Sequence, residues 1–256
     1  MAERKMKFVI VSPCQRSGGG LVCHQLCRLL QKQGHEAKIF ELNCYLGKYS
    51  SSGIIFYLKY FLSVMRDMYR TLFAHMFPNT KKGRRWHDGY VYKSVKGCKK
   101  KWLPWVDKDT IVIYPEIYRG NMLHATKVVR WLLYYCPWDA NDTDWYAKDD
   151  LFFAYVKVFN DERCNPSCRL LTVYHFDENR YKRTNYGKRK GNCYIIRKGR
   201  NRTDLPSHFD GPIIDDCSEK EIEKIFNQCE RCYTYDTCTF YTCVAALVKR
   251  NCSGYK

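Results

Sequence analysis

Lys7-Phe-Val-Ile-Val-Ser12, Pro13 to Gly20, Leu21 to Gln33, Gly34 and Lys38-Ile-Phe-Glu-Leu42 follow one another near the start of the chain, and their reading decides the fold. The first is a short apolar, β-branched run, and the second is a glycine-rich turn that holds Ser17, Gly18, Gly19 and Gly20. Beyond it the apolar residues fall at 22, 26, 29 and 30, one face of a helix that Gly34 closes. Residues 38–42 are apolar and β-rich again. Strand, glycine turn, helix and strand make a βαβ unit, and such units build parallel sheets.

The pattern returns at Asp109. Thr110-Ile-Val-Ile-Tyr114 reads as a strand, Pro115 to Gly120 as its exit loop, and Asn121 as the cap of a helix running to about Tyr135. Residues 151–158 and 170–174 are further strand candidates, and Asp177 to Gly191 is polar, basic and without periodicity. A new series follows, with strands expected at 192–196, 212–216 and 232–235. Ser218-Glu-Lys-Glu221 is a capping box, and Ile222, Ile225, Phe226 and Cys229 behind it share one helical face. Residues 239–247 read as a last helix, and 248–256 hold no further strand. The expected fold class is α/β, with two Rossmann-like parallel-sheet domains: residues 1–176, a basic linker at 177–190, and residues 191–256 as a second, incomplete domain.

Composition bounds the partners. The 256 residues carry 44 Lys+Arg against 26 Asp+Glu, a net charge of +18. A field of that sign attracts polyanions, phosphate-bearing ligands or the anionic leaflet of a membrane. Fifteen cysteines, an odd number, cannot all pair within one chain, and the Phe8–Val11 run is too short for a signal-peptide core. A cytoplasmic protein whose thiols are small buried hydrophobes is therefore expected, with peripheral placement on the inner face of a membrane as the second expectation. Residues 54–77 are rich in Phe, Tyr, Leu and Met but interrupted by Lys59, Arg66, Asp67 and Arg70, which reads as one amphipathic helix. Core packing accounts for it; so does an interfacial position, with the basic residues up to Lys101 meeting anionic lipid through 54–101.

Four constellations could carry chemistry. Ser17 to Gly20 lies between a strand and a helix N-terminus, where amides and the helix dipole favour an anion or a sugar hydroxyl; a plain structural turn reads the same. Glu116, Arg119, Gly120 and Asn121 gather at the carboxyl end of a parallel strand, with His124, Lys127 and Arg130 expected on the helix behind. Open α/β sheets bind ligands at that edge. Arg197, Lys198, Gly199 and Arg202 follow the first strand of the second half and suit a diphosphate, or form a solvated basic loop. Tyr235, Asp236, Thr237, Thr239 and Thr242 run from a strand end into a helix start. Cys229-Glu-Arg-Cys232 has zinc-knuckle spacing without a second ligand pair, so no metal is expected.

Taken in order, these segments resemble a family. Lys7 to Ser12 with Ser17 to Gly20 and Gln33-Gly-His-Glu-Ala37 is similar to the opening of bacterial capsule and lipopolysaccharide glycosyltransferases. So are Tyr114-Pro-Glu-Ile117, Gly120-Asn121, Val128-Val-Arg-Trp-Leu-Leu133, Cys193-Tyr-Ile-Ile-Arg-Lys-Gly199, Tyr235-Asp-Thr237 and Ala245-Ala-Leu247. The resemblance implies the GT-B arrangement, an acceptor-side domain followed by a nucleotide-sugar donor domain, with no cofactor or obligatory metal. It makes a nucleotide-diphosphate sugar and a glycan or glycolipid acceptor the substrates. On the acceptor side it implies Ser17, Gly18, Gly19, Gly20, Arg119, Gly120, Asn121 and His124, with Glu116 as the catalytic candidate. On the donor side it implies Arg197, Lys198, Gly199, Arg202, Tyr235, Asp236, Thr237, Thr239 and Thr242. The family continues beyond the Ala-Ala-Leu helix where this chain turns basic and stops, which reads as a truncated second half with doubtful activity. A non-catalytic remnant that only binds phosphate ligands is one alternative. A basic nucleic-acid-binding protein is the other, disfavoured because the cations lie in loops between βα units and no recognised binding motif occurs.

Overall fold

The computed structural model describes residues 5–13, 17–42, 54–83, 86, 105–136, 146–174, 181–236, 239–249 and 253–254. The chain is α/β and separates into two compact units, residues 1–175 and 176–256.

The first unit contains β1 (Lys7–Pro13), α1 (Gly18–Lys32), β2 (Glu36–Leu42), α2 (Ile54–Met76), β3 (Thr110–Pro115), β4 (Lys127–Leu132) and β5 (Leu151–Ala154). The strands form one sheet in the order β2-β1-β3-β4-β5, and every pairing is parallel. The pleat sorts the apolar runs. Phe8, Ile10, Ala37, Ile39 and Ile113 pack on one face with Cys23, Leu26 and Cys27 of α1. Val9, Val11, Phe40, Leu42, Val112 and Tyr114 pack on the other face with Phe56 of α2. Burial on both faces is why β1 is continuously apolar instead of alternating. At the start of α1 the Ser17 hydroxyl accepts the Gly20 amide at 3.1 Å, and Gly34 ends the turn after α1 at φ +87°, a conformation that favours glycine.

The helix expected from Asn121 to about Tyr135 is instead a loop and a strand. Residues 127–132 form β4, so His124 lies in the loop, while Lys127 and Arg130 are strand residues. The Asn121 side chain closes a turn that imitates a cap: its Oδ1 accepts the Ala125 amide at 3.0 Å and its Nδ2 donates to the Ala125 carbonyl at 2.7 Å. The β3–β4 connection has no helix, and Tyr118, Met122 and Ala125 in it cover the sheet directly. Strand β5 stops at Ala154, short of the expected 158, because a 3-10 turn occupies residues 157–159. Of 170–174 only Leu170 forms a bridge, to Ala154.

The second unit contains β6 (Asn192–Ile195), α3 (Glu219–Gln228), β7 (Arg231–Thr234), α4 (Phe240–Lys249) and β8 (Ser253–Gly254), with a parallel sheet in the order β6-β7-β8. Two expectations are corrected. Residues 212–216 contribute one bridge, Tyr194 to Ile213, and the third strand is β8, in the segment expected to hold none. The described part of the expected linker, residues 181–190, is fastened to α3: the Thr184 and Asn185 amides both donate to Asn227 Oδ1, at 2.8 and 3.2 Å.

The capping box forms with both bonds, the Glu221 amide on Ser218 Oγ and the Ser218 amide on the Glu221 carboxylate. Replacing Ser218 with Ala should cost about 1 kcal/mol in chemical denaturation. The bond from Ser218 holds the Glu221 carboxyl below its ordinary value. A lowered folded-state pKa means that this contribution is present above about pH 4.5 and is lost as pH falls below it.

Candidate functional site

In the first unit the chain leaves β1 toward β2 on one side and reaches β3 on the other, so the carboxyl ends of β1 and β3 form a topological switch point. The N-terminus of α1 stands there. Its first turn carries no acidic residue, Ser17 and Gly18 are exposed, and a side chain at Gly18 would meet no atom within 4 Å. Gly19 lies closer in, with its added Cβ 3.4 Å from Leu133 Cδ1, and Gly20 is buried.

The loop after β3 is held from below by Arg130, a fully buried cation that the sequence pattern had placed on a helix surface. Its Nε donates to Asp150 Oδ2 at 2.6 Å, and its two terminal nitrogens donate to the carbonyls of Tyr118 at 3.2 Å and Gly120 at 2.9 Å. Its guanidinium also lies 4.9 Å from the centre of the Tyr114 ring and 4.7 Å from that of Tyr146. Gly120 takes φ +65° and His124 φ +51°, so the loop turns sharply at two places. His124 is exposed, while Arg119, Gly120 and Asn121 are half-buried. Glu116 points inward: it is buried, and its carboxylate accepts the Leu133 amide at 2.9 Å. That bond ties the loop to the end of β4.

In the second unit the carboxyl end of β6 carries an outlier. Arg197 has φ +38°, the left-handed region that residues other than glycine seldom enter. Asp215 holds it there, accepting the amides of Ile196 at 3.0 Å and Arg197 at 2.6 Å. The Arg197 guanidinium then lies over the ring of Tyr241 in the first turn of α4, 4.2 Å from its centre. Its Nε is shielded from solvent and has no hydrogen-bond partner among the described residues. The 3-10 turn 197–201 presses on the end of β7, where an added Cβ on Gly199 would meet the Tyr235 carbonyl oxygen at 2.3 Å.

The structure thus brings Arg197, Gly199 and Tyr235 together at the carboxyl edge of β6 and β7. Asp236 is buried just beyond, and Thr239 accepts the Tyr241 amide at 3.4 Å where α4 begins, with Thr242 half-buried in its first turn. Lys198 is exposed, and Arg202 forms a two-bond ion pair with Asp204 at 2.7 and 2.6 Å. Thr237 lies outside the described residues. Asp215 and Tyr241 were missed by sequence reasoning; an acid next to a bridging strand and an aromatic at a helix start are too common to single out. No group of three or more His, Cys, Asp or Glu side chains placed to hold a metal occurs among the described residues.

No model of a known protein family matches the chain, and no curated protein matches its sequence.

Proposed function

We propose that this chain is a glycosyltransferase-type protein that binds a nucleotide-diphosphate sugar, with the diphosphate at the carboxyl edge of β6 and β7. The observation that carries the reading is Arg197, held in a left-handed conformation at a strand end with its guanidinium over the ring of Tyr241, a first-turn residue of α4. A cation beside the first residues of a helix suits phosphate oxygens. Backbone strain of this kind costs about 1–3 kcal/mol and persists where the surroundings enforce it, often at ligand sites.

The sugar-transfer half of the reading rests on the ordered resemblance of segments, and the acceptor belongs in it to Ser17–Gly20 and Arg119–His124 in the first unit. Neutralising the leaving diphosphate is electrostatic stabilisation, and Arg197 would supply it. Arg202 enters only by leaving Asp204. Glu116 acts in this scheme as a positioning residue, because its carboxylate is engaged by the Leu133 amide.

Calorimetric titration with a panel of nucleoside diphosphate sugars tests the proposal. Replacing Arg197 with Ala or Gly should weaken binding about tenfold or more, the size of a lost charge-assisted contact. The two variants should differ in stability: Gly tolerates the left-handed backbone and should be about 1 kcal/mol more stable than Ala there. Unchanged affinity in both variants, or binding to RNA with no response to any nucleotide sugar, overturns the assignment.

A further inference from the structure

Helix α2 is anchored to the sheet by a narrow stripe, and most of its apolar surface faces away from it. Phe56 and Ala74 are buried and Tyr60 packs against the core. Leu58, Leu62, Met65, Tyr69, Leu72 and Met76 follow at alternating steps of four and three and are between 48% and 66% exposed. Ile55, Phe61 and Met68, also exposed, widen that row on both sides. Lys59, Arg66 and Arg70 succeed one another at steps of seven and four, which places them along one flank. Asp67 is the one acidic residue in positions 54–83, and it lies against Arg66 and Arg70 at 3.7 and 3.5 Å. Just beyond the helix Trp86 packs edge-on against Phe73 and Tyr69, with Lys82 4.6 Å and Arg70 5.8 Å from its ring centre.

We infer that the outward face of α2 docks on an anionic lipid surface. A wide apolar band bordered by cations, with a tryptophan among basic side chains at one end, is the surface that lies in the plane of a bilayer interface. Each cation near such a surface adds attraction that salt screens. Among the described residues no helix is long and apolar enough to cross a membrane, and the cations on α2 suit contact with headgroups. A second copy of the chain fits less well. A two-helix seam covers a narrow row at steps of three and four, while this band is wider, and a net charge of +18 repels its own kind and attracts the anionic leaflet.

Flotation of the full chain with lipid vesicles tests this. Phosphatidylglycerol-containing vesicles should carry the protein upward, vesicles of phosphatidylcholine alone should not, and added salt should weaken the binding. The double variant Leu62→Glu, Leu72→Glu changes only exposed side chains and should keep its circular dichroism while partitioning about tenfold or more weakly. Lys82→Glu should weaken binding in the same direction. Three results overturn the inference: no flotation, flotation that the Leu62 and Leu72 changes leave intact, or a dimer in sedimentation that those changes dissolve without any vesicle binding.

Discussion

Arg130→Ala should cost about 3–5 kcal/mol of stability, the loss expected when one partner of a buried ion pair is removed. The side chains of Arg130 and Asp150 are only 1% and 4% exposed, and the guanidinium satisfies the carbonyls of Tyr118 and Gly120 as well as the acid. Truncation leaves a buried carboxylate with, among the described residues, only the Ala147 amide to donate to it, leaves two carbonyls without the arginine donor, and opens space between the rings of Tyr114 and Tyr146. The paired change Arg130→Met, Asp150→Leu removes both charges and should recover part of the loss, since apolar replacements of buried pairs are often tolerated. Urea denaturation of the three proteins decides it. A single-variant loss under about 1 kcal/mol would place Arg130 among ordinary surface pairs.

The second large effect is expected at Gly199. Replacement by Ala sets a methyl 2.3 Å from the Tyr235 carbonyl oxygen and 2.8 Å from its carbon, both backbone atoms that cannot rotate away. Either the 3-10 turn lifts or the end of β7 moves, at about 1–3 kcal/mol for overpacking. Because the turn begins at Arg197, the proposed site predicts that nucleotide-sugar affinity falls with it, about tenfold or more. Stability equal to the parent would show that the turn has room to adapt. Lost stability with unchanged affinity would separate the turn from the proposed phosphate site.

Local signals were legible and long-range ones were not. The first βαβ unit follows from a glycine turn between an apolar run and a helical period, all within residues 7–42. The Ser218 capping box is equally local. β4 reads as a helix in the sequence because Asn121 offers a helix-cap signature and Val128 to Leu133 is nearly continuous in apolar character, so no alternation marks it as a strand. Arg130 looked like a surface residue because its partner, Asp150, is twenty positions away. β8 spans two residues, too few for any pattern. At the candidate site the basic run after β6 could be seen, but not which cation does what. Arg202 is taken by Asp204 two residues on, a neighbour visible in the sequence, while the left-handed turn at Arg197 depends on Asp215 across the bridge to residue 213.

The strand order also sets a timetable for synthesis. β1 pairs with β2 across a short connection, but its other edge pairs with β3, which leaves the ribosome nearly a hundred residues later. At usual rates of elongation the inner edge of β1 therefore waits roughly 5–20 s with its amides and carbonyls unpartnered. The Tyr118 hydroxyl, which donates to the Leu42 carbonyl at 2.8 Å, closes the loop after β3 onto the end of β2 only once that wait is over. During it the nascent chain presents an apolar two-stranded ribbon, Phe8 to Val11 beside Ala37 to Phe40, and that edge is where it is most open to pairing with a neighbouring chain.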